Sequence, residues 1–281
     1  MKTPEIVTTV SDLRARISHW RKAGERVGLV PTMGALHEGH LSLVRETQKH
    51  CNRSVASIFV NPAQFAPHED FDRYPRTLEN DSGKLGDAGL DLIFAPSVAE
   101  MYPSGFATKI EVGGPSAGLE TNFRPHFFAG VATVVAKLLI AALPDYAIFG
   151  EKDYQQLLVI RRLTADLGLP IEIAGGAIIR EPDGLAMSSR NAYLKPDERK
   201  VAGQLNQILK IAIADARNGR ELGQVEADAA SRLLGCGFTS VDYVAIRDAA
   251  TLEKLERLDR PARILAAAKI GSTRLIDNMA I

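Results

Sequence analysis

The sequence has no excess of charge of either sign, since its 281 residues include 34 Lys+Arg and 34 Asp+Glu. Proteins that bind nucleic acid usually show a basic excess or a basic stripe, so the balance argues against a nucleic-acid partner. Cysteine is also scarce: Cys51 and Cys236 form neither a CxxC motif nor a disulfide framework. Reduced thiols and a cytoplasmic location are the simplest interpretation.

Long apolar runs are missing as well. The most apolar stretch, residues 131–143, contains Lys137 and ends at Pro144. It is shorter than the roughly 20 residues that a membrane-spanning helix needs. The N-terminal segment, Met-Lys-Thr-Pro-Glu-Ile, lacks the apolar core of a signal peptide. We therefore expect a soluble protein with no membrane partner.

Length and composition predict two globular domains. At about 150 residues per domain, the chain is long enough for two. Hydrophobic residues make up 46% of the chain and charged residues 24%, which excludes a disordered or fibrous protein.

The first 180 residues alternate between short β-rich runs and helical patterns. Ser11 is predicted to cap a helix that Gly24 ends, and an apolar helix is predicted over 131–142. The predicted strands cover 27–30, 55–60, 91–95, 146–149 and 170–174, and the other predicted helices cover 38–50, 78–88 and 153–167. Apolar strands that alternate with helices indicate a parallel sheet covered on both faces. We predict an α/β, Rossmann-like domain over residues 1–180.

The remaining residues, 181–281, predict a smaller α+β domain. A helix is expected from Lys195 to Gly219, and a shorter one over 225–234. Strand-like runs follow at 241–246, 263–268 and 274–281.

The most informative segment is 30–40, which reads Val-Pro-Thr-Met-Gly-Ala-Leu-His-Glu-Gly-His. A strand ends, a turn of small residues follows, and His37 and His40 fall at the start of a helix. Free amides and the helix dipole at such a turn favour a phosphate, and imidazole donors can stabilise growing charge. Gly39 would leave room for a base or ribose against the backbone. The alternative without function is that the two histidines occur at these helix positions by chance. A zinc site is a further alternative, but two histidines alone leave zinc short of ligands.

Two more polar clusters follow predicted strands. Residues 61–65, Asn-Pro-Ala-Gln-Phe, come after the strand 55–60, and residues 150–156, Gly-Glu-Lys-Asp-Tyr-Gln-Gln, come after the strand 146–149. Ligands of open parallel sheets bind beyond the carboxyl ends of the strands. Together with the histidines, these clusters predict one site at that edge of the sheet.

Each cluster has a structural alternative when it is taken alone. Asn61-Pro62 is also a turn sequence, and Asp153 could simply cap a helix. A fourth cluster, Asp-Gly-Leu-Ala-Met-Ser-Ser-Arg-Asn at 183–191, suits a polyphosphate under a closing lid, but it could also be a polar linker.

The segments together resemble the pantothenate synthetase (pantoate–β-alanine ligase) family, within the nucleotidyltransferases that share a His-x-Gly-His signature. The most specific motifs are Phe-Val-Asn-Pro-x-Gln-Phe at 59–65, Phe-Gly-Glu-Lys-Asp at 149–153 and Ser-Ser-Arg-Asn at 188–191. The matching segments span nearly the whole chain: 31–40, 57–65, 74–78, 95–96, 101–103, 149–156, 183–194 and 274–278.

The resemblance implies an ATP-dependent reaction in two half-steps. ATP and (R)-pantoate would give pantoyl adenylate and pyrophosphate with the help of Mg²⁺, and β-alanine would then displace AMP to give pantothenate. It also implies a catalytic domain over 1–180 that binds ATP and pantoate, a C-terminal lid domain over 181–281, and a homodimer formed through the N-terminal domains.

The resemblance also assigns roles to single residues. His40 would be the principal catalytic group, with His37 and Lys152 beside it, and Gln64 and Gln156 would bind the substrate pantoate. The ATP site would consist of Met33, Gly34, Ala35, Leu36, His37, Glu38, Gly39, His40, Gly150, Glu151, Lys152, Asp153, Ile179, Met187, Ser188, Ser189 and Arg190.

One segment departs from the family pattern. The family has Arg-Pro-x-His-Phe before a Gly-Val pair, whereas Phe127 stands at the expected histidine here and His126 comes one place early. Either the loop shifts by one residue or the contact is lost. No metal ligand is assigned, although Asp81 is a candidate for Mg²⁺ if phosphates and water do not hold the ion alone.

Other functions fit the residues less well. A related adenylyltransferase with a phosphate-bearing acceptor would need basic residues where the chain offers Gln64 and Gln156. A nucleotide-binding regulator without catalysis would not need His37 and Lys152. A tRNA-handling synthetase fragment is disfavoured by the neutral charge and by the lack of an anticodon-binding extension.

Overall fold

A computed structural model describes residues 4–66 and 69–281. This part of the chain divides into two compact units. The first comprises the residues up to Glu151 together with Gln156–Ala177, and the second comprises Lys152–Gln155 together with Ile178–Ile281. No helix in the described ranges has the length and apolarity to cross a bilayer.

A parallel sheet forms the centre of the first unit, as the sequence predicts. The strands are β1 (Glu5–Val7), β2 (Val27–Thr32), β3 (Arg53–Ile58), β4 (Leu92–Phe94), β5 (Tyr146–Gly150) and β6 (Glu172–Gly176). They lie in the order β1-β4-β3-β2-β5-β6, and every pairing is parallel. The α/β fold class is confirmed. From β2 the chain first adds strands on one side of the sheet and later adds β5 and β6 on the other.

Helices cover both faces of this sheet. They are α1 (Val10–Lys22), α2 (Glu38–His50), α3 (Leu78–Asp87), α4 (Val98–Met101), α5 (Glu120–Phe123), α6 (Phe127–Ala142) and α7 (Tyr154–Asp166). Successive strand residues point to opposite faces, so Leu29 packs in the core beneath α1, α6 and α7, while Val30 packs beneath α2 and α3. This alternation produces three layers.

The second unit has its own core and an antiparallel sheet. Its helices are α8 (Pro196–Ala202), α9 (Gln204–Arg217) and α10 (Leu222–Gly235), and its strands are β7 (Ser240–Asp248), β8 (Ala262–Ile270) and β9 (Thr273–Ala280), in the order β7-β8-β9. The single helix predicted from Lys195 to Gly219 is wrong. Two helices meet at Gly203, a residue type that weakens helices because it lacks a side chain.

The start of α1 also differs from the prediction. The helix begins at Val10, and the side chain of Thr9, not of Ser11, accepts the hydrogen bond from the Asp12 amide. Both residue types are good caps, so composition alone does not choose between them. Strand β1 and helices α4 and α5 were not predicted, because each has only three or four residues and shows no clear period.

Candidate active site

The turn between β2 and α2 reverses the chain in very little space. Gly34 and Ala35 both have left-handed backbone angles, with φ of 85° and 51°. A Cβ on Gly34 would stand 3.1 Å from Oδ2 of Asp81 and 3.2 Å from Cγ2 of Ile58. Glycine is therefore favoured at this position by both its backbone angle and its small size.

His37 and His40 form a reciprocal cap on α2. His37 is the N-cap residue, and its Nδ1 accepts from the Gly39 amide at 3.2 Å. Nδ1 of His40 accepts from the His37 amide at 3.4 Å, and the two ring centroids lie 4.2 Å apart. Because a backbone amide can only donate, each Nδ1 must be unprotonated. A neutral imidazole then carries its proton on Nε2, which makes Nε2–H a donor in both residues.

The structure gives Gly39 a role in the packing of the turn that was not predicted. A Cβ at Gly39 would lie 2.9 Å from both Cε1 and Nδ1 of His37. The space beside the glycine therefore holds the His37 ring, and the missing side chain is what permits the cap.

Two of the backbone amides that were predicted to be free for a phosphate already donate hydrogen bonds within the protein. Ala35 and Leu36 donate their amides to the carboxylate of Asp81, at 2.9 and 2.8 Å. Glu38 is exposed at the start of α2 and pairs with Arg45. These two amides are therefore already hydrogen-bonded within the protein and do not point to a phosphate.

The loop after β3 lies against the turn after β2. Nε2 of Gln64 lies 2.9 Å from Sδ of Met33, and Asn61 donates to Oε1 of Gln64 and to the carbonyl of Gly130, both at 3.2 Å. Tyr102 donates to Oδ1 of Asn61 at 2.7 Å, and burial raises the pKa of this phenol to about 12, so it remains a donor at neutral pH. Asn61, which received no individual role in the sequence analysis, holds Gln64 in place.

The predicted edge of the sheet is present in the first unit. Strand β2 lies between β3 and β5, so the segment 61–64, the turn 33–40 and Gly150–Glu151 follow adjacent carboxyl ends. This is the switch point of the sheet, where open α/β proteins bind their ligands. Gln156 lies in the first turn of α7 and is half-buried.

Lys152 and Asp153 belong to the second unit. Nζ of Lys152 lies 4.0 Å from Oδ2 of Asp153, and the lysine side chain is 21% exposed. The carbonyl of Lys152 accepts from Nδ2 of Asn278 at 2.9 Å, and Oδ1 of Asn278 accepts from Nε of Arg263 at 2.6 Å. Strands β8 and β9 thus fix the backbone of the predicted phosphate-binding lysine.

The second unit also brings Ile179 next to the Ser-Ser-Arg-Asn segment. The amide of Met187 donates to the carbonyl of Ile179 at 3.0 Å, and Ser188 caps the 3₁₀ turn Ser189–Tyr193 by accepting from the Arg190 amide. These predicted ATP-site residues therefore share one surface segment.

Asn191 anchors that segment from below. Its side-chain amide donates to Oε1 of Glu181 at 2.9 Å and to the carbonyl of Ala186 at 3.1 Å. The asparagine of the motif therefore holds the neighbouring residues in place, a role that was not predicted.

Asp81 does not fit the role of magnesium ligand. It is fully buried, and its two oxygens accept from the amides of Ala35 and Leu36 and from the hydroxyl of Thr77. Within residues 4–66 and 69–281, no group of three or more His, Cys, Asp or Glu side chains is placed to hold a metal.

Phe127, which stands at the expected histidine when counted back from Gly130, is the first residue of helix α6. The guanidinium of Arg124 lies 3.8 Å from the centroid of its ring, and Nε of Arg124 contacts Glu69 at 2.7 Å. Phe127 therefore makes an aromatic–cation contact with Arg124.

The fold and the turn define an α/β protein whose parallel sheet has an open switch point at its carboxyl edge. Comparison with known proteins identifies the family: the sequence pattern of "Pantoate-beta-alanine ligase" matches residues 5–280. The chain belongs to this family. It is 56% identical over 279 residues to a pantothenate synthetase from Mesorhizobium japonicum, covering 99% of this chain and 98% of that one, and 53% identical over 284 residues to one from Caulobacter vibrioides, covering 100% of both.

Solved structures of proteins from this family are similar to the structure of this chain. A pantothenate synthetase from Thermus thermophilus superposes with a TM-score of 0.92 at 47% identity, covering 98% of each chain. A pantoate-beta-alanine ligase from Francisella tularensis, complexed with beta-gamma ATP and beta-alanine, gives a TM-score of 0.84 at 32% identity, covering 98% of this chain and 97% of that one.

The capping geometry predicts the tautomers of the two histidines. In their neutral forms, His37 and His40 should both carry the proton on Nε2, because each Nδ1 accepts an amide hydrogen bond. Imidazole nitrogen-15 NMR distinguishes the protonated from the unprotonated nitrogen. His126, whose side chain makes no capping bond, is the control. A proton on Nδ1 of either capping histidine would contradict the geometry.

Proposed function

We propose that this chain joins (R)-pantoate to β-alanine in an ATP-dependent reaction that passes through pantoyl adenylate. Membership of the pantoate-beta-alanine ligase family supports the overall reaction. The observation that supports the chemistry is the turn after β2, where Nδ1 of His37 and Nδ1 of His40 each accept a backbone amide at the switch point of the sheet, an arrangement that leaves Nε2 to carry the imidazole proton.

In the first half-step, an oxygen of the pantoate carboxylate attacks the α-phosphorus of ATP. A bond from this oxygen to phosphorus forms, the bond to the pyrophosphate oxygen breaks, and pyrophosphate leaves. The reaction needs no enzyme nucleophile, because the substrate supplies its own. The protein must orient the reactants and stabilise negative charge. His40 donates to the phosphate oxygens with His37 beside it, and Lys152 adds a positive charge.

In the second half-step, the amine of β-alanine attacks the acyl carbon of the adenylate. The carbon–oxygen bond to the phosphate breaks, AMP leaves with that oxygen, and the positively charged nitrogen loses its proton to water to form the amide. The adenylate makes this step feasible in water because it is a mixed anhydride with a good leaving group.

Neutral side-chain amides bind pantoate. Gln64 and Gln156 hydrogen-bond the hydroxyl and carboxylate groups of pantoate without placing a competing charge beside the nucleophile. In the structure the side chain of Gln64 is held by Asn61 and lies against Met33, at the carboxyl edge of the sheet. A phosphate-bearing acceptor would require cations at these positions.

Each unit contains residues that the family resemblance assigns to the nucleotide. The first unit supplies the turn 33–40 with Gly150 and Glu151, and the second supplies Lys152, Asp153, Ile179 and the segment 187–190. We infer that residues 1–180 act as the catalytic domain and residues 181–281 as a lid. Magnesium would enter with the nucleotide, and phosphate oxygens and water would supply its ligands, since Asp81 is committed to the turn. A cytoplasmic homodimer is part of the same proposal.

The proposed intermediate predicts exchange of labelled pyrophosphate into ATP. Exchange should require pantoate and magnesium but not β-alanine, because the adenylate forms reversibly before the amine arrives. Initial exchange rates with and without each component measure this. A phosphate-acceptor adenylyltransferase would exchange only with its own acceptor, and release of ADP and orthophosphate would reveal an acyl-phosphate route. Absence of exchange in enzyme that makes pantothenate would contradict reversible adenylation.

Substitution of His40 should separate capping from catalysis. Asparagine places an acceptor near Nδ1 but no atom at Nε2, so His40→Asn should keep wild-type stability and slow adenylation by roughly 100-fold or more. His40→Gln is the reciprocal variant, because it keeps a donor near Nε2 and loses the acceptor of the cap. Urea unfolding and single-turnover kinetics measure the two effects. Near-normal adenylation by His40→Asn would remove Nε2 from the mechanism.

A further inference from the structure

We propose that Asp81 is a positioning residue for catalysis, which acts by holding the backbone of the His-x-Gly-His turn from beneath. The inference rests on the proposed function, because it assigns a task to the turn. It goes beyond that function because it states that a buried carboxylate on α3, together with the turn, determines the position of the imidazoles.

The carboxylate is fully buried, and both of its oxygens accept hydrogen bonds within the first unit. Oδ2 of Asp81 accepts from the Ala35 amide at 2.9 Å and from the Thr77 hydroxyl at 3.0 Å. Oδ1 accepts from the Leu36 amide at 2.8 Å. A buried carboxylate is tolerated only when donors surround it, so these contacts are mutually dependent.

Lys84 binds the other backbone group of Leu36. Its ammonium donates to the Leu36 carbonyl at 2.6 Å, while the Leu36 amide is held by Asp81. Thr77, Asp81 and Lys84 are spaced four and then three residues apart, a spacing that aligns side chains on one face of a helix. One face of α3 therefore fixes the peptide groups on both sides of Leu36.

The turn needs such support because its backbone is unusual. Ala35 has a φ of 51°, a left-handed angle that L residues with a side chain seldom adopt. Strained angles persist where the surroundings over-determine them, and here the Ala35 amide is bound to a buried charge. Leu36 is followed directly by His37, whose amide binds Nδ1 of His40. A shift of the Leu36 peptide would therefore move both rings.

The main test compares Asp81→Asn with Asp145→Asn. Asp145 accepts from the Val27 amide at 2.8 Å, so it caps the amino end of the strand whose carboxyl end Asp81 supports. Asparagine keeps one acceptor at each site but turns an NH₂ group towards the remaining donors. We expect Asp81→Asn to lower kcat for pantoate-dependent pyrophosphate exchange by about 100-fold, the scale of a misplaced catalytic group, with a much smaller change in KM for ATP. Asp145→Asn should leave kcat unchanged.

A pair of Thr77 variants keeps the test decisive if Asp81→Asn does not fold. Thr77→Ser retains the hydroxyl that donates to Asp81, whereas Thr77→Val removes it. Rescue of kcat in the serine variant relative to the valine variant is expected. Equal kcat in the two, or unchanged kcat in folded Asp81→Asn, would overturn the proposal.

A readout independent of activity separates this inference from the proposed function. Amide hydrogen exchange at Ala35 and Leu36 and the imidazole nitrogen-15 signals of His37 and His40 should change in Asp81→Asn and not in Asp145→Asn. If wild-type protein showed no pantoate-dependent exchange, the proposed function would fail, and these signals would still decide whether Asp81 positions the turn. Imidazole signals that are identical in wild type and Asp81→Asn would overturn it.

Discussion

The contact on which the site depends is the one between the buried carboxylate of Asp81 and the amides of Ala35 and Leu36. A charge without solvent must be surrounded by donors, and the turn after β2 supplies two of them. The turn in return adopts left-handed angles at consecutive residues. Because these amides are engaged, the proposed recognition of phosphate relies on side chains. The His37–His40 cap follows immediately and sets the imidazole protons on Nε2.

The two units contribute differently to the proposed chemistry. In the first, sheet topology brings backbone and side-chain groups to one edge, and Asn61 and Tyr102 hold Gln64 there. In the second, Asn278 fixes the carbonyl of Lys152 and Asn191 fixes the segment that carries Ser188 to Arg190. In both units, a buried amide or carboxylate holds a neighbouring residue in position. The groups proposed to meet substrate are thus supported by polar residues that have no part in the reaction themselves.

The features that could be predicted from the sequence are local or periodic. Apolar runs of strand length gave the parallel sheet, and the strand–turn–helix order at 30–40 placed the two histidines. The features that were missed depend on contacts between distant residues or on a choice between equivalent ones. Asp81 lies 46 residues from Ala35, so its commitment to the turn has no local signal. Thr9 and Ser11 are equally good caps by type, and Gly203 breaks a helix whose apolar pattern continues across it.

The central claim is that the turn serves attack of a substrate carboxylate on the α-phosphorus. Pantoate labelled with oxygen-18 in its carboxylate tests this most directly, because the bridging oxygen of an adenylate leaves with the nucleotide when the amine attacks. One labelled oxygen should therefore appear in the phosphate of AMP for each pantothenate formed. Labelled orthophosphate in place of labelled AMP, or AMP without label, would contradict the account.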